Sequence, residues 1–419
     1  MAEPSAEPVE GGKIWAFGRK LDIQSFFLEQ ASMNTASDRI VDTDWAAIAV
    51  VVFGVTAFSV SQGLTYPLIS LVLAERGVSA GIIGFNGAFF AIGVGVSTLL
   101  IGPITSIMTG ARLIVSALVG VSVSLAAFAS FEAVWVWFVA RFFLGFSASI
   151  IFMTSEAWLN TACADRIRGR VSGLFGAGMC AGFAAGPLAI PLFGLKGGFA
   201  FSLLAVYVAF VAFVTVILNR KTTTTPEPST PGMFMKFVVA APLLVVMVFM
   251  FGFADIAAVS GLPLYFTSVG FSPSFAAIAV TMLALPTAFA QPLFGYLLDT
   301  LDRKLVAVGA AIVAAVGFLT LPMLTSRYAI FVDLALIGTA SFGLYTAALT
   351  LLGARYSGGM LVAGSAAFAL AYALGSASGT VTFGLSLEVS AAAGPVIIGG
   401  VILVFAAAFG FVSRGDRSQ

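Results

Sequence analysis

Twelve runs of about 20 apolar residues follow one another along the chain, near 45–73, 80–103, 111–130, 133–158, 170–194, 198–218, 237–267, 274–298, 304–324, 328–353, 361–385 and 391–413. Each is long enough, as a helix, to cross the hydrocarbon core of a bilayer. The 419 residues are 60% hydrophobic and 9% charged, with a mean hydropathy of +1.06. Soluble domains carry roughly 25% charge, so a water-soluble globule is excluded and an all-α protein embedded in membrane is expected.

The same landmarks recur along these runs at one spacing. Gly77, Gly102, Gly145, Gly182 and Gly186 are answered by Gly270, Gly295, Gly338, Gly375 and Gly379, each pair 193 residues apart. Among 45 glycines some coincidences arise by chance; the stronger evidence is that each pair falls at the corresponding place in two successive sets of six spans. A duplicated membrane half leaves that pattern behind. The chain therefore divides into a tail at 1–44, a six-helix bundle at 45–219, a linker at 220–236, a second six-helix bundle at 237–413 and a tail at 414–419. The linker, Arg220-Lys-Thr-Thr-Thr-Thr-Pro-Glu-Pro-Ser-Thr-Pro-Gly-Met-Phe-Met-Lys236, is too rich in proline and threonine to build a core, and reads as a polar tether.

Basic residues orient the spans. Sixteen lie on the side of the termini, and Arg76, Lys196 and Arg327 lie on the other, which places both termini in the cytoplasm of a bacterial-type inner membrane. The last cation, Arg141, falls inside the fourth span. Residues 1–44 lack the apolar core and cleavage site of a signal peptide. Lys13–Gln30 mixes Ile14, Trp15, Phe17, Leu21, Phe26 and Phe27 with charges, so a short amphipathic surface helix and a frayed tail are both open. Met33 is an alternative start. Cys163 and Cys180 do not suggest a disulfide.

Four motifs carry chemistry or architecture. After the eighth span comes Gly295-Tyr-Leu-Leu-Asp299-Thr-Leu-Asp302-Arg303-Lys304; its N-half counterpart is Gly102-Pro-Ile-Thr-Ser106-Ile-Met-Thr-Gly110-Ala-Arg112, with Ser106 in place of the acid. The fourth span holds Arg141-Phe-Phe-Leu-Gly145. The fifth holds Gly173, then Gly182-Phe-Ala-Ala-Gly186-Pro187. The fourth span ends Ser155-Glu156-Ala157-Trp158-Leu159-Asn160, before Asp165-Arg166-Ile-Arg168-Gly169-Arg170.

Together these resemble the signatures of the major facilitator superfamily, from Trp45 to Ser413. The last motif is similar to one seen in a branch of bacterial permeases of that superfamily. Asp302 stands where the family pattern has glycine, and Ile190 and Pro191 replace the closing glycine pair of the fifth-span motif. The resemblance implies two pseudo-symmetric six-helix bundles that rock about a central solute site. It also implies an inner gate, with Glu156 opposite Arg166, Arg168 or Arg170, and with Gly295 allowing close helix contact while Asp299 caps or pairs with Arg303. Gly182, Gly186 and Pro187 form a helix-bend motif associated with proton-driven export, and simple helix packing explains the two glycines equally well.

An arginine two turns into a span must face a partner or water, or else snorkel to the interface. Asp255, in Phe253-Ala-Asp255-Ile-Ala of the seventh span, corresponds through the 193-residue shift to Gln62, and reaches a depth similar to Arg141. A carboxylate in such a place can take up and release a proton, so Asp255 is the expected coupling group. Spans 1, 4, 7 and 10 are expected to line the pathway, with Gln62, Arg141, Asp255 and Tyr345 as its polar residues. Asp333 lies near the start of the tenth span, as an interfacial cap would. Phe53, Phe58, Phe249, Phe253, Phe342 and Tyr345 are candidates for stacking on a planar solute.

Histidine is absent, so proton coupling has to use carboxylates. No metal cluster, cofactor motif, phosphate loop or hydrolase triad is seen, and no basic cluster suggests nucleic acid, so an enzyme is not expected. The chain reads as a secondary transporter of a small organic solute, coupled to protons, with efflux favoured and a monomer expected. The alternatives are an importer of a riboflavin-like vitamin or of copper, the latter through Met247, Met250 and Met282, and a membrane receptor or assembly factor that no longer transports.

Overall fold

The computed structural model describes residues 14–16, 19–21, 43–108, 110–163, 165–195, 198–222, 224, 234–356 and 358–415. Residues Met1–Thr43 form a unit of their own. Its described part is an antiparallel hairpin of β1 (Ile14–Ala16) and β2 (Arg19–Leu21), with Ile14 opposite Leu21. The surface helix anticipated from Lys13 is thus extended backbone at these positions, where β-branched and aromatic side chains favour a strand; residues 22–30 lie outside the described residues.

From Asp44 onward, twelve helices are long and apolar enough to cross a membrane. They are α1 (Trp45–Glu75), α2 (Ala80–Ile107), α3 (Ala111–Ser130), α4 (Val134–Ala162), α5 (Asp165–Ala185), α6 (Phe199–Asn219), α7 (Pro242–Ser268), α8 (Pro273–Thr300), α9 (Arg303–Thr320), α10 (Arg327–Arg355), α11 (Gly358–Val389) and α12 (Ala393–Gly415). Two spans start or bend away from the expected places. Phe234–Ala240 is a separate short helix; the chain breaks at Ala241, and Pro242 opens α7 in its first turn, where a missing N–H costs nothing. The seventh span therefore begins at Pro242 rather than at 237. In the fifth, α5 gives way to a 3-10 turn at Gly186–Leu188 and then to a short helix Ala189–Phe193. Pro187 lies in that turn and cannot donate to the helical ladder.

The two halves repeat each other down to single contacts. Ser79 caps α2 by accepting from the N–H of Ile82, and Ser272 caps α8 by accepting from that of Phe275. The turns before them hold Gly77 at φ +77° and Gly270 at φ +94°, a backbone region that only glycine enters freely. Inside the bundles, a Cβ on Gly145 would strike the carbonyl of Phe90, and one on Gly338 that of Leu283. Gly182 of α5 and Gly186 of the turn that follows it abut the carbonyls of Thr56 and Val60 in α1, and Gly375 and Gly379 of α11 abut those of Phe249 and Phe253 in α7. The carbonyl partners named here are displaced by the same 193 residues. Backbones in such contact gain dispersion from many atoms at once, the main attraction open to helices in lipid.

Contacts between the halves gather at the end that carries Gly77 and Gly270. On α2 and α11, a Cβ on Gly84 would lie 2.5 Å from the Thr380 carbonyl oxygen, and the Glu388 carboxylate accepts from the N–H of Gly81 at 2.9 Å. Thr281 of α8 donates to the Ala184 carbonyl of α5 at 2.9 Å, and the hydroxyls of Ser70 and Ser260 lie 3.1 Å apart between α1 and α7. At this end the described residues of the two halves are in direct contact.

Gly186 and Gly295 make opposite predictions. A Cβ on Gly186 would lie 2.5 Å from the Leu64 nitrogen, whereas one on Gly295 meets nothing within 4 Å. Gly186→Ala should lower stability by about 1–3 kcal/mol through overpacking, while Gly295→Ala should be neutral or gain up to about 1 kcal/mol from helix propensity. Thermal unfolding of the purified variants in detergent measures the difference.

Candidate functional site

Arg141 stands two turns into α4 and is 1% exposed, so its side chain is turned into the protein and not toward the membrane surface. Its guanidinium lies over the ring of Tyr66 at 4.6 Å and that of Phe90 at 5.2 Å. One Nη reaches the Thr65 carbonyl at 3.5 Å, at the limit of a hydrogen bond, and Nε has no partner. Among the described residues no carboxylate pairs with it. Cation–π contact returns about 0.5–2 kcal/mol, against a penalty of several kcal/mol for taking an ion out of water.

Asp255, half-buried in α7, accepts a hydrogen bond of 2.9 Å from the Tyr372 hydroxyl of α11. Tyr66 lies within electrostatic reach of both Arg141 and Asp255, and of Tyr372 as well. Among the described residues the two charged groups form no ion pair; Tyr66 is the side chain that stands between them. Phe251 closes the C-half wall, stacked on Tyr345 at 4.9 Å and tilted against Tyr372 at 5.5 Å, with Phe342 edge-on at 5.2 Å.

Around this core, buried polar atoms are left without partners. Gln62 is 4% exposed with its Oε1 unpaired, and Asn86 is 1% exposed with both amide atoms unpaired, while the buried Ser376 lies against Tyr372. Gln62 sits one helical turn before Tyr66, Asn86 one turn before Phe90, and Ser376 one turn after Tyr372. Each such group costs about 1–3 kcal/mol when desolvated, so their presence beside Arg141 calls for a physical reason.

The four pathway residues expected from sequence thus lie in helices that meet in the interior, but α2 and α11 contribute as much as α4 and α10. Tyr66, Phe90, Asn86, Tyr372 and Ser376 carried no signal of their own in the sequence; only the helical spacing from Gln62 could have pointed to Tyr66. The aromatics proposed for solute stacking divide differently: Phe58 is spent on Phe152, 5.7 Å away, Phe249 stacks on Phe253, and Phe53 is exposed. Met247 and Met250 are buried in the hydrophobic core.

The residues expected at the gate are distributed along the terminus-bearing end. Glu156 is exposed and within electrostatic reach of Tyr345 in the other half; the side chains of Arg166, Arg168 and Arg170 lie outside the described residues. Gly295 makes no close helix contact. Asp299 is exposed, and Arg303 donates from Nε to the Leu298 carbonyl at 3.4 Å rather than to it. The capping acid is Asp302, which accepts from the N–H groups of Lys304 at 2.8 Å and Leu305 at 3.2 Å; a glycine could not do this. Asp333 is not a cap either, since Ser326 holds that position and Asp333 is 8% exposed within α10.

Trp158 has a different use from the acid beside it. Its Nε1 donates to the Thr224 hydroxyl at 3.0 Å, and Thr224 donates from its N–H and hydroxyl to Asp44, both at 3.0 Å. Asp44 also caps α1 through the Ala47 N–H at 2.9 Å. The first stretch after α6 is therefore tied to the start of α1 and the end of α4.

Asp302→Ala should cost about 0.5–2 kcal/mol, the usual value of a lost N-cap, while Asp299→Ala should leave unfolding unchanged. Thermal denaturation of the two variants side by side tests which acid holds the start of α9.

The sequence model of the Major Facilitator Superfamily matches residues 51–380. YfkF of Bacillus subtilis (strain 168), an uncharacterised MFS-type transporter, is 26% identical over 339 residues, covering 79% of this chain and 86% of its own. The crystal structure of the nucleoside transporter NupG superposes with a TM-score of 0.71 at 12% identity, over 87% of this chain and 97% of its own. A bacterial homologue of the human lysosomal transporter Spinster, in an inward-facing and occupied conformation, gives 0.72 at 15% identity, over 88% and 96%. With twelve spans in two matching bundles and a family match across most of its length, this chain belongs to the major facilitator superfamily and is a multi-pass membrane transporter, not an enzyme.

Proposed function

We propose that the chain is a proton-coupled secondary transporter that carries a small organic solute by alternating access, working in the direction of efflux. Solute and proton meet in the cluster of Gln62, Arg141, Asp255 and Tyr345. The observation that carries this reading is the Asp255 carboxylate, half-buried inside a membrane span and held by the Tyr372 hydroxyl, with Tyr66 between it and the buried Arg141 of the other half. Asp255 takes the proton, and relative motion of the halves changes what faces it.

With both termini in the cytoplasm of the inner membrane, the end at which the halves touch is the outer one, and this conformation is the one that binds from inside. Glu156, Arg168, Arg170, Gly295, Asp299 and Arg303 then belong to the inner gate, which would assemble when the outer end opens. The bend at Gly182, Gly186 and Pro187 supports the export direction. The protein works as a monomer, because each chain carries both halves of the pathway.

Proteoliposome flux under an imposed pH gradient tests the coupling. Wild-type protein should accumulate its solute against a gradient. Asp255→Asn should abolish accumulation while solute exchange at equal pH persists. Accumulation undiminished in Asp255→Asn would remove this residue from the coupling role.

A further inference from the structure

We infer that Arg141 anchors an organic-anion site, so that the transported solute carries a carboxylate or similar group on a planar body; that the anion is cargo rests on the transport reading above. A guanidinium stays charged at any physiological pH and offers five N–H donors. Here those donors have one contact, at 3.5 Å, to Thr65, and Nε has none. The side chain is 1% exposed, so bulk water does not make up the difference. The aromatic faces of Tyr66 and Phe90 hold the cation in place but accept no hydrogen bond in its plane. Among the described residues no acid meets it, and Asp255, beyond Tyr66, is engaged by Tyr372.

What the site lacks is therefore an in-plane acceptor with negative charge, which a carboxylate supplies in the two-pronged geometry that arginine favours. A cationic solute would meet Arg141 with repulsion. A neutral one would leave a charge uncompensated in a dry interior. The rest of the cluster describes the remainder of the ligand. Tyr345 and Tyr372, packed on either side of Phe251, give the second half an aromatic wall against which a flat body can lie, and the Gln62 Oε1 and the Asn86 amide can each bond a polar edge. Because Arg141, Gln62 and Asn86 come from the first half and the ring faces from the second, a bound anion would touch both bundles.

Thermal unfolding of the purified wild-type protein tests this with matched triplets: benzoate, benzamide and benzylamine, then 2-naphthoate with its amide and aminomethyl analogues, and cyclohexanecarboxylate with its own. The carboxylates should bind about tenfold tighter than their amide partners, and the amines should not bind. Arg141→Lys should keep the order with weaker binding, and Arg141→Gln should erase it. If no carboxylate stabilises the wild type more than its amide, the inference is overturned, and this comparison needs no variant to fold. A preference that survives in Arg141→Gln overturns it as well. A neutral or cationic solute moved by the wild type, without competition from carboxylates, overturns the anion site and leaves proton-coupled transport standing. A carboxylate that binds through Arg141 but is not moved in proteoliposomes upholds the anion site and overturns the placement of transport in this cluster.

Discussion

Helices in lipid gain nothing by hiding apolar side chains from one another, so their association depends on how closely their backbones can come. In this chain that constraint is met by glycine set against carbonyl. Gly182 and Gly186 bring α5 onto α1, Gly375 and Gly379 bring α11 onto α7, and Gly145 and Gly338 bring α4 and α10 onto α2 and α8. These seams lie within a half and recur in both halves, so each bundle is held by contacts that cannot loosen without loss of fit. The seam between halves is of another kind. On α2 and α11, Gly81, Gly84 and Gly384 meet across the interface, but the equivalent helices α5 and α8 meet through the Thr281 hydroxyl instead. The interior of each half is symmetric, and the surface along which the halves part is not.

Polar chemistry is fitted into this frame at a cost. Arg141 and Asp255 lie on either side of Tyr66 and, among the described residues, form no ion pair, and the amides of Gln62 and Asn86 add atoms with no partner. A protein selected only for stability would fill these positions with side chains of similar size and no charge, since buried ion pairs and unsatisfied groups seldom repay their desolvation. Strain of this kind persists where a ligand relieves it. The seams within each half supply the stability against which that cost is set.

Much of the architecture was legible because the residues that build it are constrained one by one. A glycine against a carbonyl, or at positive φ as at Gly77 and Gly270, tolerates no other residue without strain, so the 193-residue register survived in those positions while most side chains around them changed. The site was legible only in part. Arg141 and Asp255 stand out because charge in an apolar run is costly anywhere. Tyr66, Phe90 and Tyr372 do not, since in a chain with 40 phenylalanines and eight tyrosines an aromatic in a span is ordinary core material. Asp302 was read as a departure from the family loop, though its place two residues before a lysine N–H makes it the cap. The break at Ala241 and the hairpin near Trp15 were missed for a shared reason: apolar runs reveal burial, and reveal little of backbone conformation at their ends.

The register also shows how the duplicated halves came to differ. Carried forward by 193 residues, Arg141 corresponds to Leu334 and Tyr66 to Val259, both buried and apolar; Gln62 corresponds to Asp255. Carried back, Tyr372 corresponds to Met179 and Ser376 to Phe183. Among the described residues Arg141 thus has no counterpart in the second half, and Asp255 has only the amide of Gln62 as its counterpart in the first. Had each half kept both, the charges would pair within a bundle and remain paired whatever the bundles did. Divided between halves, their separation is a function of the angle between bundles, and any solute or proton that alters the balance of charge in the cluster also alters the free energy of that angle. On the transport reading proposed above, the symmetric glycine seams hold each half together as it moves, and the loss of symmetry at positions 62, 66 and 141 is what couples the relative position of the halves to what lies between them.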